Sequence, residues 1–207
     1  MKISTNAWDK RFKKEGRVFE EPHEDLPGIV NLLKEKGART VLDLGSGTGR
    51  HLVVLAKSGF SVFGLDNSRT GIRIAKNWLK SEGVTADLHR QEMTEEFPYA
   101  DNFFDAVLSI QVIHHAEAAA IKRTIKEVER VLKKGGFIFI TVPNGRTQGK
   151  EFAQIEPDTF IPLDGPEKGL PHHYFTTGEL KRFFQNFLIT DLHLDSNDHY
   201  CLSGFKQ

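Results

Sequence analysis

The chain has 207 residues, with 28 Lys plus Arg balanced by 28 Asp plus Glu for a formal net charge of +0. That length suits a single domain with a sizeable core, and neutrality gives no electrostatic ground for nucleic acid as a main partner. One cysteine, Cys201, excludes an internal disulfide and any multi-cysteine metal site. Residues Met1 to Lys14 are polar and charged, and the longest apolar run, Phe137 to Val142, is too short to span a bilayer. These features predict a cytoplasmic protein with no membrane attachment, a monomer or weak homodimer. Residues 1–24 carry Trp8, Phe12 and Phe19. The spacing of Trp8 and Phe12 fits one helical face, an N-terminal cap that either packs on the core or covers a ligand. Leu26, Ile29, Val30 and Leu33 then form a helical stripe closed by Gly37.

Thr40 to Leu44 reads as a buried strand, and it runs into Gly45-Ser46-Gly47-Thr48-Gly49. A helix bearing Leu52, Leu55 and Ala56 follows, stopped by Gly59. Strand, glycine turn and helix place backbone N–H groups at the carboxyl edge of a sheet, where ligands bind in open α/β folds. The dinucleotide fingerprint requires glycine at position 50, which is Arg50. Ser61 to Leu65 is the second strand, ending at Asp66; Asn67-Ser68 opens a helix with Ile72, Ala75 and Leu79. A carboxylate at Asp66 offers two acceptor oxygens to the two hydroxyls of a ribose, or else caps the helix.

Thr85 to Leu88 reads as a short third strand, followed by Glu92-Met93; Phe104 to Ile110 is the fourth, leading into Ser109, Gln111, His114 and His115. The two histidines serve as a general base or cap the next helix. No carboxylate cluster accompanies them in sequence, so no metal is predicted. Ile121, Ile125, Val128 and Leu132 form a helical stripe, with Lys133-Lys134 at its negative end and Gly135-Gly136 ending it. Phe137 to Val142 is an apolar strand. Residues 143–175 are rich in Pro and Gly and leave the same sheet edge, so they read as a lid over a substrate, with His172, His173 and Tyr174 as further candidates for proton transfer. Thr176-Thr177-Gly178-Glu179 is a capping box. Phe187 to Leu194 and His199 to Phe205 alternate about a turn, which predicts a terminal antiparallel hairpin.

Asp43-x-Gly45-x-Gly47-x-Gly49 resembles the first motif of the class I S-adenosylmethionine (SAM) methyltransferases, and Glu127 to Gly136 resembles the helix, turn and strand that close that family's sheet. Within the class, the pattern is similar to small-molecule methyltransferase domains of the ubiquinone-biosynthesis and tellurite-resistance (TehB-like) sort. The resemblance implies an α/β fold: a Rossmann-like, doubly wound, seven-stranded mixed sheet ending in the antiparallel hairpin, with residues 1–207 as one domain. It implies SAM as cofactor and a small-molecule methyl acceptor. It implies a cofactor site built from Asp43, Gly45, Ser46, Gly47, Thr48, Gly49, Asp66, Asn67, Glu92, Met93, Ser109, Gln111 and His114. The family usually has aspartate where this chain has Glu92, and Ser109 to Val112 does not match the Asn-Pro-Pro-aromatic signature of enzymes that methylate exocyclic nitrogens. A non-catalytic SAM-binding subunit or sensor, a transferase using decarboxylated SAM (an aminopropyltransferase), and an NAD-dependent oxidoreductase are the competing readings.

Overall fold

The computed structural model describes residues 7–145 and 151–207. Residues 1–6 of the predicted cap and 146–150 of the predicted lid lie outside the described residues. The main sheet has seven strands: β1 (Thr40–Leu44), β2 (Ser61–Asp66), β3 (Asp87–Arg90), β4 (Phe104–Ile110), β5 (Leu132–Pro143), β9 (Phe187–Leu194) and β10 (His199–Lys206). Their order is β3-β2-β1-β4-β5-β10-β9. The first five are parallel, and β10 pairs antiparallel with both β5 and β9. This is the mixed sheet with a terminal hairpin that the sequence predicts.

Alternation along the strands divides the core in two. Leu42, Leu44, Val107, Ile138 and Ile140 face α5 (Ala118–Val131) and α6 (Thr177–Phe183). Val41, Ala106, Leu108, Phe137 and Phe139 face α2 (Leu26–Glu35), α3 (Arg50–Lys57) and α4 (Arg69–Ser81). The N-terminal helix α1 (Ala7–Glu15) lies against the start of α4: Asp9 Oδ1 accepts from Ser68 Oγ at 2.9 Å and from Thr70 N at 2.8 Å. At the edge of the sheet away from the glycine turn, Asp105 Oδ2 accepts from Arg39 N at 2.8 Å and Thr40 N at 2.9 Å.

The structure departs from the sequence reading in three places. The third strand starts two residues late, at Asp87, because only the register Phe63↔Asp87 to Asp66↔Arg90 pairs it with β2. α5 ends at Val131, with Leu132 already extended, so Lys133 does not serve the helix terminus; its Nζ meets Asp105 Oδ1 at 2.6 Å. The stretch 143–175 is not a bare connection. It folds into a second antiparallel sheet of β6 (Phe152–Glu156), β7 (Thr159–Pro162) and β8 (His172–His173). Glu156 anchors it by accepting from Ala118 N at 2.6 Å, a carboxylate at the positive end of α5.

Candidate functional site

The carboxyl ends of β1, β2 and β4 open into a cavity of about 960 Å³, roofed by α1 and the small sheet. The glycine turn forms its floor. Gly45, Gly47 and Gly49 have φ of 76°, 53° and 98°, a region that favours glycine. A Cβ on Gly45 would also lie 2.2 Å from Val112 Cγ2. Gly45 N and Ser46 N both donate to Leu65 O, at 2.7 and 3.1 Å, which ties the turn to β2.

Asp66 completes that tie. Its Oδ2 accepts from Gly47 N at 2.8 Å and its Oδ1 from Ser68 N at 2.7 Å. Each oxygen keeps a lone pair for a further donor. Burial raises its pKa to about 6, against the lowering effect of those two N–H groups. The helix cap itself is Ser68, whose Oγ accepts from Gly71 N at 2.9 Å. Asn67 Nδ2 holds Glu92 through both carboxylate oxygens, at 3.2 and 3.1 Å. Met93 lines the same end of the cavity, and its carbonyl accepts from Thr124 Oγ1 at 2.9 Å.

Asp43 is 1 % exposed and does not reach the cavity wall. Burial pushes its carboxyl up to about 7, although the charge of Arg50 opposes this. Its Oδ2 and the Oγ of Ser46 have no hydrogen-bond partner among the described residues. His51 Nδ1 is 4.0 Å from Asp43 Oδ2, but burial holds that ring's pKa well below its ordinary value.

Of the remaining residues named from sequence, Gln111, His114, His115 and Tyr174 line the cavity with Thr48, whereas Gly49 and Ser109 do not. Ser109 is wholly buried in β4. Gln111 has φ 60°, and its N and Nε2 both donate to Thr141 Oγ1, at 3.0 and 3.1 Å. His173 faces away: its Nδ1 pairs with Thr159 Oγ1 at 2.8 Å and its ring packs on Phe175. Its backbone N donates to His114 O at 2.8 Å. Burial lowers the pKa of His114, and lowers that of His115 to about 3 with help from the nearby His172. Trp8 and Phe12 line the roof, with Trp8 6.0 Å from the His115 ring.

Sequence reasoning missed one wall. His199 Nδ1 pairs with Asp195 Oδ2 at 2.9 Å, and Asp195 is fixed by the N–H groups of His199 and Asn197. His23, from the chain start, reaches the same carboxylate at 3.2 Å. No local motif signals this meeting, since 172 residues separate His23 from Asp195.

The order of the sheet and the glycine turn after β1 give a Rossmann-like architecture with a terminal antiparallel hairpin. A methyltransferase-domain family model matches residues 41–136. In sequence and fold the chain resembles the class I SAM-dependent methyltransferases. It is 28 % identical over 162 residues to the ubiquinone biosynthesis O-methyltransferase of Pseudomonas paraeruginosa (strain DSM 24068 / PA7), an alignment of 75 % of this chain and 66 % of that protein. It thus spans less than two thirds of that relative's length. Its fold is like that of the PH0226 protein from Pyrococcus horikoshii OT3, with a TM-score of 0.75, 20 % identity, and coverage of 96 % of this chain and 99 % of the other. It is also like a Burkholderia thailandensis 1,6-didemethyltoxoflavin-N1-methyltransferase with bound 1,6-didemethyltoxoflavin and S-adenosylhomocysteine. There the TM-score is 0.73 at 16 % identity, covering 97 % and 88 %. Among the described residues no helix is long and apolar enough to cross a membrane.

Proposed function

We propose that residues 1–207 act as one domain that transfers the methyl group of SAM to a small-molecule acceptor. The observation that carries this is the continuity of the cavity. One floor of glycine turn and Asp66 leads, past Gln111 and His115, to a second region under the small sheet. When bound, SAM supplies an electrophilic methyl group on a sulfonium that is already a good leaving group.

The residues present fit that cofactor. The glycine turn lets backbone approach its methionine end, with Ser46 Oγ and Asp43 Oδ2 as unspent acceptors beneath it. Asp66 accepts from the ribose hydroxyls. Asn67, Glu92 and Met93 hold the adenine, Glu92 oriented by Asn67. Gln111 and His114 flank the methionine side. The chain's main tasks are then to align the acceptor and exclude water. Trp8, Phe12 and residues 151–175 do both. An acceptor that must lose a proton finds His199, which Asp195 orients on the cavity wall; with a pKa of about 3, His115 is too weak a base at neutral pH.

Calorimetry with S-adenosylhomocysteine, the demethylated product, tests the reading. A dissociation constant on the order of micromolar, roughly −8 kcal/mol, is expected. Folded protein that gives no heat at millimolar product would end the proposal.

Hydrogen exchange tests the cover. α1 and residues 151–175 should exchange faster than Phe137 to Val142 in the free protein, because they hang on few anchors such as Arg11–Glu167 at 3.9 Å. Product binding should slow both segments. Protection equal to that of β5 without ligand would make them fixed packing instead.

A further inference from the structure

Four side chains from two distant stretches of the sequence meet on the acceptor side of the cavity. His114 and His115 follow β4, His172 opens β8, and Glu167 lies in the connection before it. Ring centroids are 3.9 Å apart for His114–His115, 4.6 Å for His115–His172 and 5.5 Å for His114–His172. One ring nitrogen from each lies within 4.8 Å of the other two.

His172 Nδ1 donates to Leu170 O at 3.0 Å, so Nε2 of the neutral ring is an acceptor. That Nε2 nevertheless lies 3.1 Å from Glu167 Oε2. A proton between the two atoms satisfies this pair, and a metal ion could take that proton's place. His115 Nδ1 is buried without a partner among the described residues. His114 Nδ1 is also buried without a partner. The Leu170 carbonyl thus orients the His172 imidazole with Nε2 turned to Glu167. Carbonyl-held imidazoles of this kind are how metal-ligating histidines are oriented.

We propose that His114, His115 and His172, with Glu167 as the fourth ligand, form a binding site for a divalent transition-metal ion of the zinc type. Zinc–ligand bonds of about 2.0–2.1 Å in a tetrahedron set donor atoms about 3.3 Å apart. The His172–Glu167 pair, at 3.1 Å, is close to that separation, and the three ring nitrogens, within 4.8 Å of one another, would draw together to reach it. Three imidazole nitrogens favour zinc-like ions over magnesium or calcium. An ion here faces the same cavity as the proposed methyl acceptor. It would hold an acceptor's oxygen or sulfur and favour its ionised form, the proton passing to water. That role rests on the methyl-transfer reading; the binding of the ion does not.

The test uses the full chain freed of metal with a chelator, then titrated with Co²⁺ and with Zn²⁺. One ion per chain is expected, with a tetrahedral nitrogen–oxygen Co²⁺ spectrum. His172→Ala should weaken binding at least tenfold, and Glu167→Gln should weaken it measurably. His193→Ala, in a second grouping with Asp25 and Cys201, should bind like the wild type. Unfolding curves and metal-free binding of S-adenosylhomocysteine by each variant separate loss of a ligand from loss of fold. Metal binding without product binding would sink the cofactor reading alone. No stoichiometric binding, no effect of the His172 and Glu167 variants, or a thiolate band from Cys201 would overturn the site.

Discussion

Asp66→Ala should weaken binding of S-adenosylhomocysteine by about 1.5–3 kcal/mol, roughly tenfold to a hundredfold. The carboxylate has two duties at once. It holds Gly47 N and Ser68 N, which shapes the turn, and it presents its remaining lone pairs to the ribose hydroxyls. A pH series separates the two. The Asp66 pKa is raised to about 6, chiefly by burial. Hydroxyls of the ligand donate to the ionised carboxylate, so affinity should be full above that value and fall as pH drops through it. Asp66→Asn keeps the side chain's shape but no longer titrates, so its weakened affinity should be flat across the same range. Calorimetry between pH 5 and 8 gives both results. Wild-type affinity in both variants would show that the ribose lies elsewhere.

Asp43→Asn should stabilise the ligand-free protein at pH 8 by on the order of 2–4 kcal/mol. Asp43 is buried with Oδ2 unpartnered, and its pKa rises to about 7. A folded-state value above the unfolded one gives stability that is full below about pH 4 and is lost as pH rises through about 7. Ionised Asp43 is thus a strain on the empty molecule. Asparagine of the same shape removes it. Asp105 and Glu167, both held down to about 2, titrate below this window. Denaturant unfolding at pH 5 and pH 8 measures the difference. A variant destabilised equally at both pH values would refute the account. The expected cost is weaker SAM binding, since the cationic cofactor is what a carboxylate there would serve; stability given up at a functional site is common.

The legible parts of this molecule were those with local causes. β1 and its glycine turn, the Ser68 cap and the Thr176 capping box each follow from neighbouring residues, and the hairpin from alternation about Ser196-Asn197-Asp198. β3 slipped by two residues because an edge strand has a single partner to define its register. The small sheet was hidden because its Pro and Gly content reads as loop, and a two-residue strand such as β8 carries no period. Ser109 sits in the right segment but points into the sheet, a matter of strand parity at a left-handed residue, Gln111. His172 beside His115, and His23 beside Asp195, are tertiary meetings that no spacing announces.

The position of β10 has a consequence for how the chain is made. β10 lies inside the sheet, between β5 and β9, yet it is the last strand in sequence. During synthesis the backbone edge of β5 stays open until residues 199–206 emerge. Throughout that interval the nascent chain carries an apolar strand able to pair with other chains. The β9–β10 hairpin limits the exposure, because its two strands are joined by a short turn and close locally before docking on β5 as a unit.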